Sequence, residues 1–416
     1  MSEGKNRPVS QRRRLGGWMP GEEKKVAAFR RDLALRARAR RANAPLSSVV
    51  QDLSNLVTGD AVLRMHLTRA IEEALEAGYD LGYASIDELF DIVDYITTYT
   101  PPFSMDEPVM TPLNAVLDWP MCMPSGYAVF RDQAFNAQLR RVLGYWCSYL
   151  AGPHSRTHLN SGEPEGWFSM KAAERIGLSQ FMWLPDEPYG GFDSWNAFFT
   201  RRFRDGMRPV AAPHDHKVIV SACEASPFSV KNDVKLSDRF WVKQQPYSLV
   251  DMLTRGEAEL AARFVGGTLY QGYLSGFNYH RWHAPVAGTI VRAYNVDGTY
   301  YSDADAQGED PGGLNDSQGY TTAVAARAVI VMACDDPSIG EVACVFVGMA
   351  EVSSCQITAR VGQRLKKGDE IGMFQYGGST YCVIFHPGVI DSFVPRPPYH
   401  DDVPPIKVNA HLATAR

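Results

Sequence analysis

Three stretches of this 416-residue chain have the residue types and spacing for covalent chemistry. The first is Gly377-Gly378-Ser379-Thr380, set between two uncharged apolar runs. As architecture it reads as a glycine hairpin turn, glycine supplying positive φ. As chemistry it reads as a strained Gly–Ser bond whose hydroxyl attacks the carbonyl before it, since paired glycines admit backbone shapes closed to other residues. A serine hydroxyl is a weak nucleophile and needs a base. The second stretch, Tyr279-His280-Arg281-Trp282-His283-Ala284-Pro285, offers one. Imidazole titrates near neutral pH and suits proton transfer. The same two histidines could instead pack structurally, or bind metal with His214 or His216. Pro285 and the strand pattern after it favour a loop over a ligand-bearing helix, so no metal is expected. A base histidine is commonly oriented by a carboxylate. Glu224 in VIVSACEAS and Glu351 after VFVGMA both follow apolar strands, and periodicity does not choose between them.

The elements that must position these groups fall into two kinds. Residues 22–41 carry Ala, Leu and Arg in helix-favouring proportion. Apolar spacing of three and four predicts helices over 46–77, divided at Gly59, and over 129–150. Ser85 and Glu88 form a capping-box pair ahead of another. Residues 153–193 are rich in Pro, Gly, Asp and Glu, with a short helix near 168–176, and Ser194 can cap a further helix ending at Gly206. From about 217 the period becomes two. Strands are expected at Lys217–Ala222, Gly267–Tyr273, Ala287–Val296, Ala323–Cys334, Val342–Met349, Ser354–Val361, Ile371–Gln375 and Tyr381–Phe385. The fold class is therefore α+β. A basic segment at 1–44 precedes a helical domain at 45–152, a connector at 153–193 and a mainly β domain at 194–416. HAPVAGTI (283–290) and VGQRLKKGDEIG (361–372) share the hammerhead pattern of lipoyl- and biotinyl-type sheets.

Composition narrows the classes. With 45% hydrophobic and 21% charged residues, the chain is neither a disordered tail, a collagen-like repeat nor a multi-span membrane protein. The net charge is −5, yet residues 1–45 hold 13 Lys/Arg against 4 Asp/Glu. The arginines at 30–41 are expected on a solvated helix face, with acidic lipid as the minority partner and no nucleic acid. Seven cysteines, odd in number and without a C-x-x-C pair, read as free thiols in a reducing compartment. The start lacks an apolar signal core, so a cytoplasmic location is expected. Residues 371–390 carry no formal charge and are long enough to span a bilayer. Gly372, Gly377, Gly378, Pro387 and Gly388 instead make them strand, turn, strand.

PYGGFDSWNAFFTRRFRDGMRPV, VIVSACEAS, YHRWHAPVAGTI, FVGMAEVSSC and GQRLKKGDEIGMFQYGGST follow in order over residues 188–386. Together they resemble the phosphatidylserine decarboxylase family of pyruvoyl enzymes, and the helical region at 45–150 adds a resemblance to its fungal L-tryptophan decarboxylase branch. The resemblance implies a proenzyme that cuts itself between Gly378 and Ser379. Ser379 would attack the Gly378 carbonyl to give an ester, and β-elimination followed by hydrolysis would leave a pyruvoyl cofactor on residue 379. His283 matches the family base. Glu224 stands where phospholipid-acting members carry Asp, and Asn278 where many carry Asp before Tyr-His. His280 matches the histidine linked to substrate handling or proton transfer. The implied activity is loss of CO₂ from an amino acid through a Schiff base, with a free aromatic amino acid such as L-tryptophan favoured. One alternative is a phosphatidylserine decarboxylase making phosphatidylethanolamine. Another is a non-enzymatic lipoyl-like carrier, although neither hammerhead offers a lysine in a carrier setting. The implied partners are the small substrate and the chain's own α and β fragments. A membrane is not expected, and a homodimer through the β half stays open.

Overall fold

The computed structural model describes residues 23–105, 110–238, 247–303, 317–351, 354–377, 379–394 and 404–416. Gly378 lies outside them, as do residues 1–22 of the basic segment. The helical part comprises α1 (Glu23–Arg41), α2 (Ser48–Gly59), α3 (Ala61–Glu76), α4 (Ile86–Ile96), α5 (Pro112–Cys122), α6 (Pro124–Arg131) and α7 (Gln133–Leu150). The division at Gly59 is made by Asp60, whose carboxylate accepts the Val62 and Leu63 N–H groups at 2.8 and 3.1 Å and so starts α3. Ser85 caps α4 through the Glu88 N–H, and Glu88 reaches back to the Ala84 N–H. The single helix expected over 129–150 is two. Asp132 accepts the Phe135 N–H at 2.7 Å and begins α7 afresh.

The arginine run is a solvated face, as expected, at Arg31, Arg36, Arg38 and Arg41. Arg30 departs from it: it is fully buried and donates to the Asp80 and Ala115 carbonyls. Arg38, Arg40 and Arg41 also pair with Glu88, Asp94 and Asp91 of α4. On the other face Val26, Leu33, Ala34 and Ala37 join the helical core.

Two short helices, α8 (Met170–Ile176) and α9 (Trp195–Phe199), lead into the strands. These are β1 (Val218–Val220), β2 (Ser226–Asn232), β3 (Thr268–Leu274), β4 (Arg281–His283), β5 (Gly288–Val296), β6 (Arg327–Cys334), β7 (Glu341–Gly348), β8 (Ser354–Ile357), β9 (Arg364–Leu365), β10 (Glu370–Gln375), β11 (Ser379–Phe385), β12 (Ile390–Phe393) and β13 (His411–Ala415). The expected strand at Ala323–Cys334 begins only at Arg327, because Gln318–Val324 forms a helix. The strands build a seven-stranded sheet in the order β2-β3-β11-β7-β6-β5-β9 and two three-stranded sheets, β4-β10-β8 and β1-β13-β12. The named ladders are antiparallel. The fold is thus α+β, with helices before a mainly antiparallel β region. The two hammerhead segments meet each other: Gly288 pairs with Leu365, and Gly368 N–H donates to the Ala284 carbonyl.

Alternation along β11 separates two cores. Tyr381, Val383 and Phe385 face one with Trp282, Phe346 and Phe374, whereas Cys382 and Ile384 face the other. The Trp282 and Phe346 rings stack 4.0 Å apart at 2°, which seats the β4 sheet on the larger one. Gly372 is required there, since a Cβ would lie 2.4 Å from Trp282 Cε3 and 2.6 Å from the Gln356 carbonyl oxygen.

Candidate active site

Ser379 is the first residue of β11 and is held on both edges, opposite Leu274 of β3 and Gly348 of β7. The strands on either side of Gly377-Gly378 belong to different sheets, so the tetrapeptide is a corner between sheets and not a hairpin turn. Gly377 has φ +125°, outside the range of ordinary L residues. The Ser379 side chain is fully buried and its Oγ has no hydrogen-bond partner among the described residues. Buried hydroxyls are nearly always partnered, so an orphaned one calls for an explanation.

Strand alternation sends the two histidines to opposite faces of the β4 ladder. The ladder extends to His280, whose carbonyl accepts the Phe374 N–H at 3.0 Å, so His280 shares parity with Trp282. Its ring is fully buried and stacks on Phe199 at 4.0 Å, and Phe199 packs on Tyr376 at 5.2 Å. Neither ring nitrogen has a hydrogen-bond partner of good geometry among the described residues. Burial pushes this imidazole well below its usual pKa and the Arg201 guanidinium adds to the fall, while the Ser275 and Asn278 backbone opposes it. Arg201, itself buried, is brought down to about 10 by desolvation.

His283 lies in a second polar group. Its Nδ1 is 2.7 Å from the Gly368 carbonyl, which only an N–H can satisfy, so Nε2 carries the lone pair. Tyr279 O–H donates to that Nε2 at 2.9 Å. Burial lowers the His283 pKa, with the Gly368 carbonyl acting against it, and the ring is favoured neutral. The Glu224 turn is tied to this strand through the backbone: His283 N–H donates to the Ala222 carbonyl at 2.9 Å. The Ser221 hydroxyl, 2.8 Å from Tyr381 Oη, ties the same turn to β11. The Glu224 carboxylate itself is clasped by Arg208, with Nε and Nη2 at 2.6 and 2.8 Å from its two oxygens. The structure therefore brings Glu224 and His283 to neighbouring backbone without a direct side-chain bond between them.

Glu351 is elsewhere, on the Ser379 side. It is buried, its Oε1 accepts the Asn114 N–H of α5 at 2.9 Å, and its Oε2 has no partner among the described residues. Its charge helps raise the Tyr301 and Tyr376 hydroxyls, which likewise have no partner among those residues. Sequence reasoning passed over Tyr279, Arg208, Tyr301 and Tyr376, although Tyr279, Arg208 and Tyr376 lie inside the quoted motifs. Among the described residues no group of three or more His, Cys, Asp or Glu is placed to hold a metal, and no helix is long and apolar enough to cross a membrane. The seven cysteines are free thiols.

A buried nucleophile-type serine after two glycines, in a domain that also holds two buried imidazoles favoured neutral, has the groups for proton transfer and acyl chemistry. Two family models described as phosphatidylserine decarboxylase match residues 47–176 and 195–397. Decarboxylase iboD of Amanita muscaria is 42% identical over 288 residues, 65% of this chain and 82% of that protein. An L-tryptophan decarboxylase of Psilocybe cubensis is 30% identical over 401 residues, 90% of this chain and 89% of its own length. Phosphatidylserine decarboxylase proenzyme 3 of Schizosaccharomyces pombe is 30% identical over 204 residues, 49% of this chain and 20% of its own. The chain belongs to the phosphatidylserine decarboxylase family, near its fungal tryptophan decarboxylase branch, and is a carboxy-lyase.

Proposed function

We propose that the chain cuts itself between Gly378 and Ser379 and works as a pyruvoyl-dependent decarboxylase of a free amino acid, with an aromatic one such as L-tryptophan favoured. The observation that carries this reading is the orphaned Ser379 hydroxyl, wholly buried at the start of a strand bonded on both edges. The chain holds residues that fit a pyruvoyl group: among the described residues the buried, unpartnered polar atoms of His280, Tyr301, Glu351 and Tyr376 would offer donors and acceptors to a new carbonyl and its substrate. Such a group supplies an electron-accepting carbonyl for a substrate amine.

Each residue then has a task. Ser379 is the nucleophile. His283 takes its proton, being neutral and fixed in tautomer by the Gly368 carbonyl. Glu224 supports the resulting imidazolium through its field, held in place by Arg208. His280, stacked on Phe199, orients the substrate. Residues 45–152 act as a domain covering the site, and 194–416 as the self-processing domain. An aromatic amino acid suits the rings of Trp195, Phe199, Tyr301 and Tyr376, which share one core. Relatives named L-tryptophan decarboxylase also align over 88–90% of the chain, against 48–49% for those named phosphatidylserine decarboxylase.

Intact-mass measurement of the denatured protein tests the first half. Two fragments are expected, the later one beginning at position 379 without a free amino group, and Ser379→Ala is expected to stay whole. A natural chain that stays whole would remove the pyruvoyl reading. CO₂ release from tryptophan, tyrosine, phenylalanine and phosphatidylserine vesicles tests the second. Turnover of the lipid alone would make the enzyme a phosphatidylserine decarboxylase.

A further inference from the structure

Ser379 pairs with Gly348, the last residue of β7, and Glu351 follows three residues later, while Tyr376 lies three residues before Ser379. The Glu351 charge is among the influences that raise the Tyr376 hydroxyl. Ala350, at φ +51°, turns the backbone between Gly348 and Glu351 in a left-handed conformation rare for alanine. A strained residue thus sets the backbone that carries this acid, three residues past the strand partner of Ser379.

The carboxyl is 1% exposed. Its Oε1 is fixed by the Asn114 N–H, and the Leu113 backbone also favours ionisation. Burial outweighs both and lifts the pKa to about 8. The titratable groups that face it are the Tyr301 and Tyr376 hydroxyls, both kept protonated by burial. From α5 come only backbone N–H groups, and no cation pairs with it among the described residues. At neutral pH it is a buried carboxylic acid whose second oxygen is unclaimed. His280, whose burial favours the neutral ring, is the poorer proton donor.

We propose that Glu351 is the acid that delivers a proton to the substrate's α-carbon once CO₂ has left. The inference rests on the function proposed above. The bond between the α-carbon and the carboxylate breaks, its electron pair stays on the substrate, and CO₂ departs. The Glu351 O–H bond then breaks and a Cα–H bond forms, leaving a carboxylate that takes a proton from water before the next turnover. The arrangement gives α5, and hence the helical domain, a direct hold on the chemistry through Asn114.

Glu351→Gln tests it, since the amide oxygen still accepts the Asn114 N–H while the acid is gone. The variant is expected to cut itself as the natural chain does and to lose at least about 100-fold in kcat, the usual contribution of a general acid. The alkaline fall in kcat of the natural enzyme above pH 8 should be absent from what remains. Infrared spectroscopy of the uncut Ser379→Ala protein gives a readout independent of turnover. A protonated-carboxyl band, abolished by adding Glu351→Gln, should be present below pH 8 and vanish above it. An E351Q enzyme with natural rate and pH profile, an E351Q chain that cannot cut itself, or a Glu351 already ionised at neutral pH each overturns the proposal. The infrared result does not depend on whether the natural chain cuts itself, which the mass measurement decides.

Discussion

Tyr279→Phe isolates the hydrogen bond that meets His283 at Nε2. The ring contacts survive in phenylalanine: Tyr279 packs 4.4 Å from Phe203 and 6.3 Å from Phe181, and neither contact uses the hydroxyl. What disappears is one O–H donor at 2.9 Å, held protonated by burial. Truncating one partner leaves the other buried and unsatisfied, which costs about 1–3 kcal/mol. The folded protein should therefore lose about that much stability in a denaturant titration. Self-cutting is a different quantity. His283 keeps its Nδ1 anchor on Gly368, and its lone pair is now free. If His283 accepts the Ser379 proton directly, cutting should slow by less than about tenfold, matching about 1.4 kcal/mol or less of lost orientation. A time course on denaturing gels after expression at low temperature reads this rate. Abolished cutting in a folded Y279F protein would refute direct acceptance and make the tyrosine hydroxyl a relay. Unchanged stability would refute the hydrogen bond's part in holding the imidazole.

His283→Ala should leave the chain uncut, whereas His280→Ala should cut but turn over substrate poorly; normal cutting in the first, seen by intact mass, would reverse that division of labour. Gly372→Ala should cost about 1–3 kcal/mol as overpacking and slow self-cutting, because the new methyl displaces Trp282 and with it the strand carrying both histidines; a stability equal to the natural protein's would show that the two sheets can part freely. Stability should also depend on pH in a defined direction. His280 and His283 fold with pKa values below the ordinary 6.5, so beneath that pH the unfolded chain binds more protons than the folded one. Measured on the Glu351→Gln protein, which removes the opposing effect of that raised carboxyl, unfolding midpoints should decline as pH falls below 6.5, and a midpoint that rises on acidification would contradict the burial of these rings.

Much of the fold was legible because local rules and tertiary packing agree in it. Helix spacing, the Ser85 cap and the break at Gly59 all follow from side chains acting within a few residues. Reading failed where the decisive partner is remote or the element is short. Ala323 and Val324 read as the start of a strand, yet they end the helix Gln318–Val324. β4 and β9 span only three and two residues and owe their existence to neighbours. At the site, Ser379, His280, His283 and Glu224 were visible as residue types at suggestive spacings. Their grouping was not. A spacing of three cannot say that β4 is a strand whose ladder sends one imidazole to Phe199 and the other to Tyr279. Nor does the order of residues disclose that Arg208, in the loop after α9, occupies the Glu224 carboxylate.

The position of β11 has a consequence for recovery from damage. A chain broken before Ser379 keeps residues 379–416 by two full ladders, to β3 and β7, and by the pairing of β13 with β1. While the sheet is intact the pieces cannot drift apart. Once it melts, nothing covalent returns them, and reassembly becomes a bimolecular search between a short fragment and a large one with an opened sheet. The proenzyme can unfold and refold as one molecule. The mature form would be governed by how fast it first opens, so its useful lifetime is a rate and not an equilibrium.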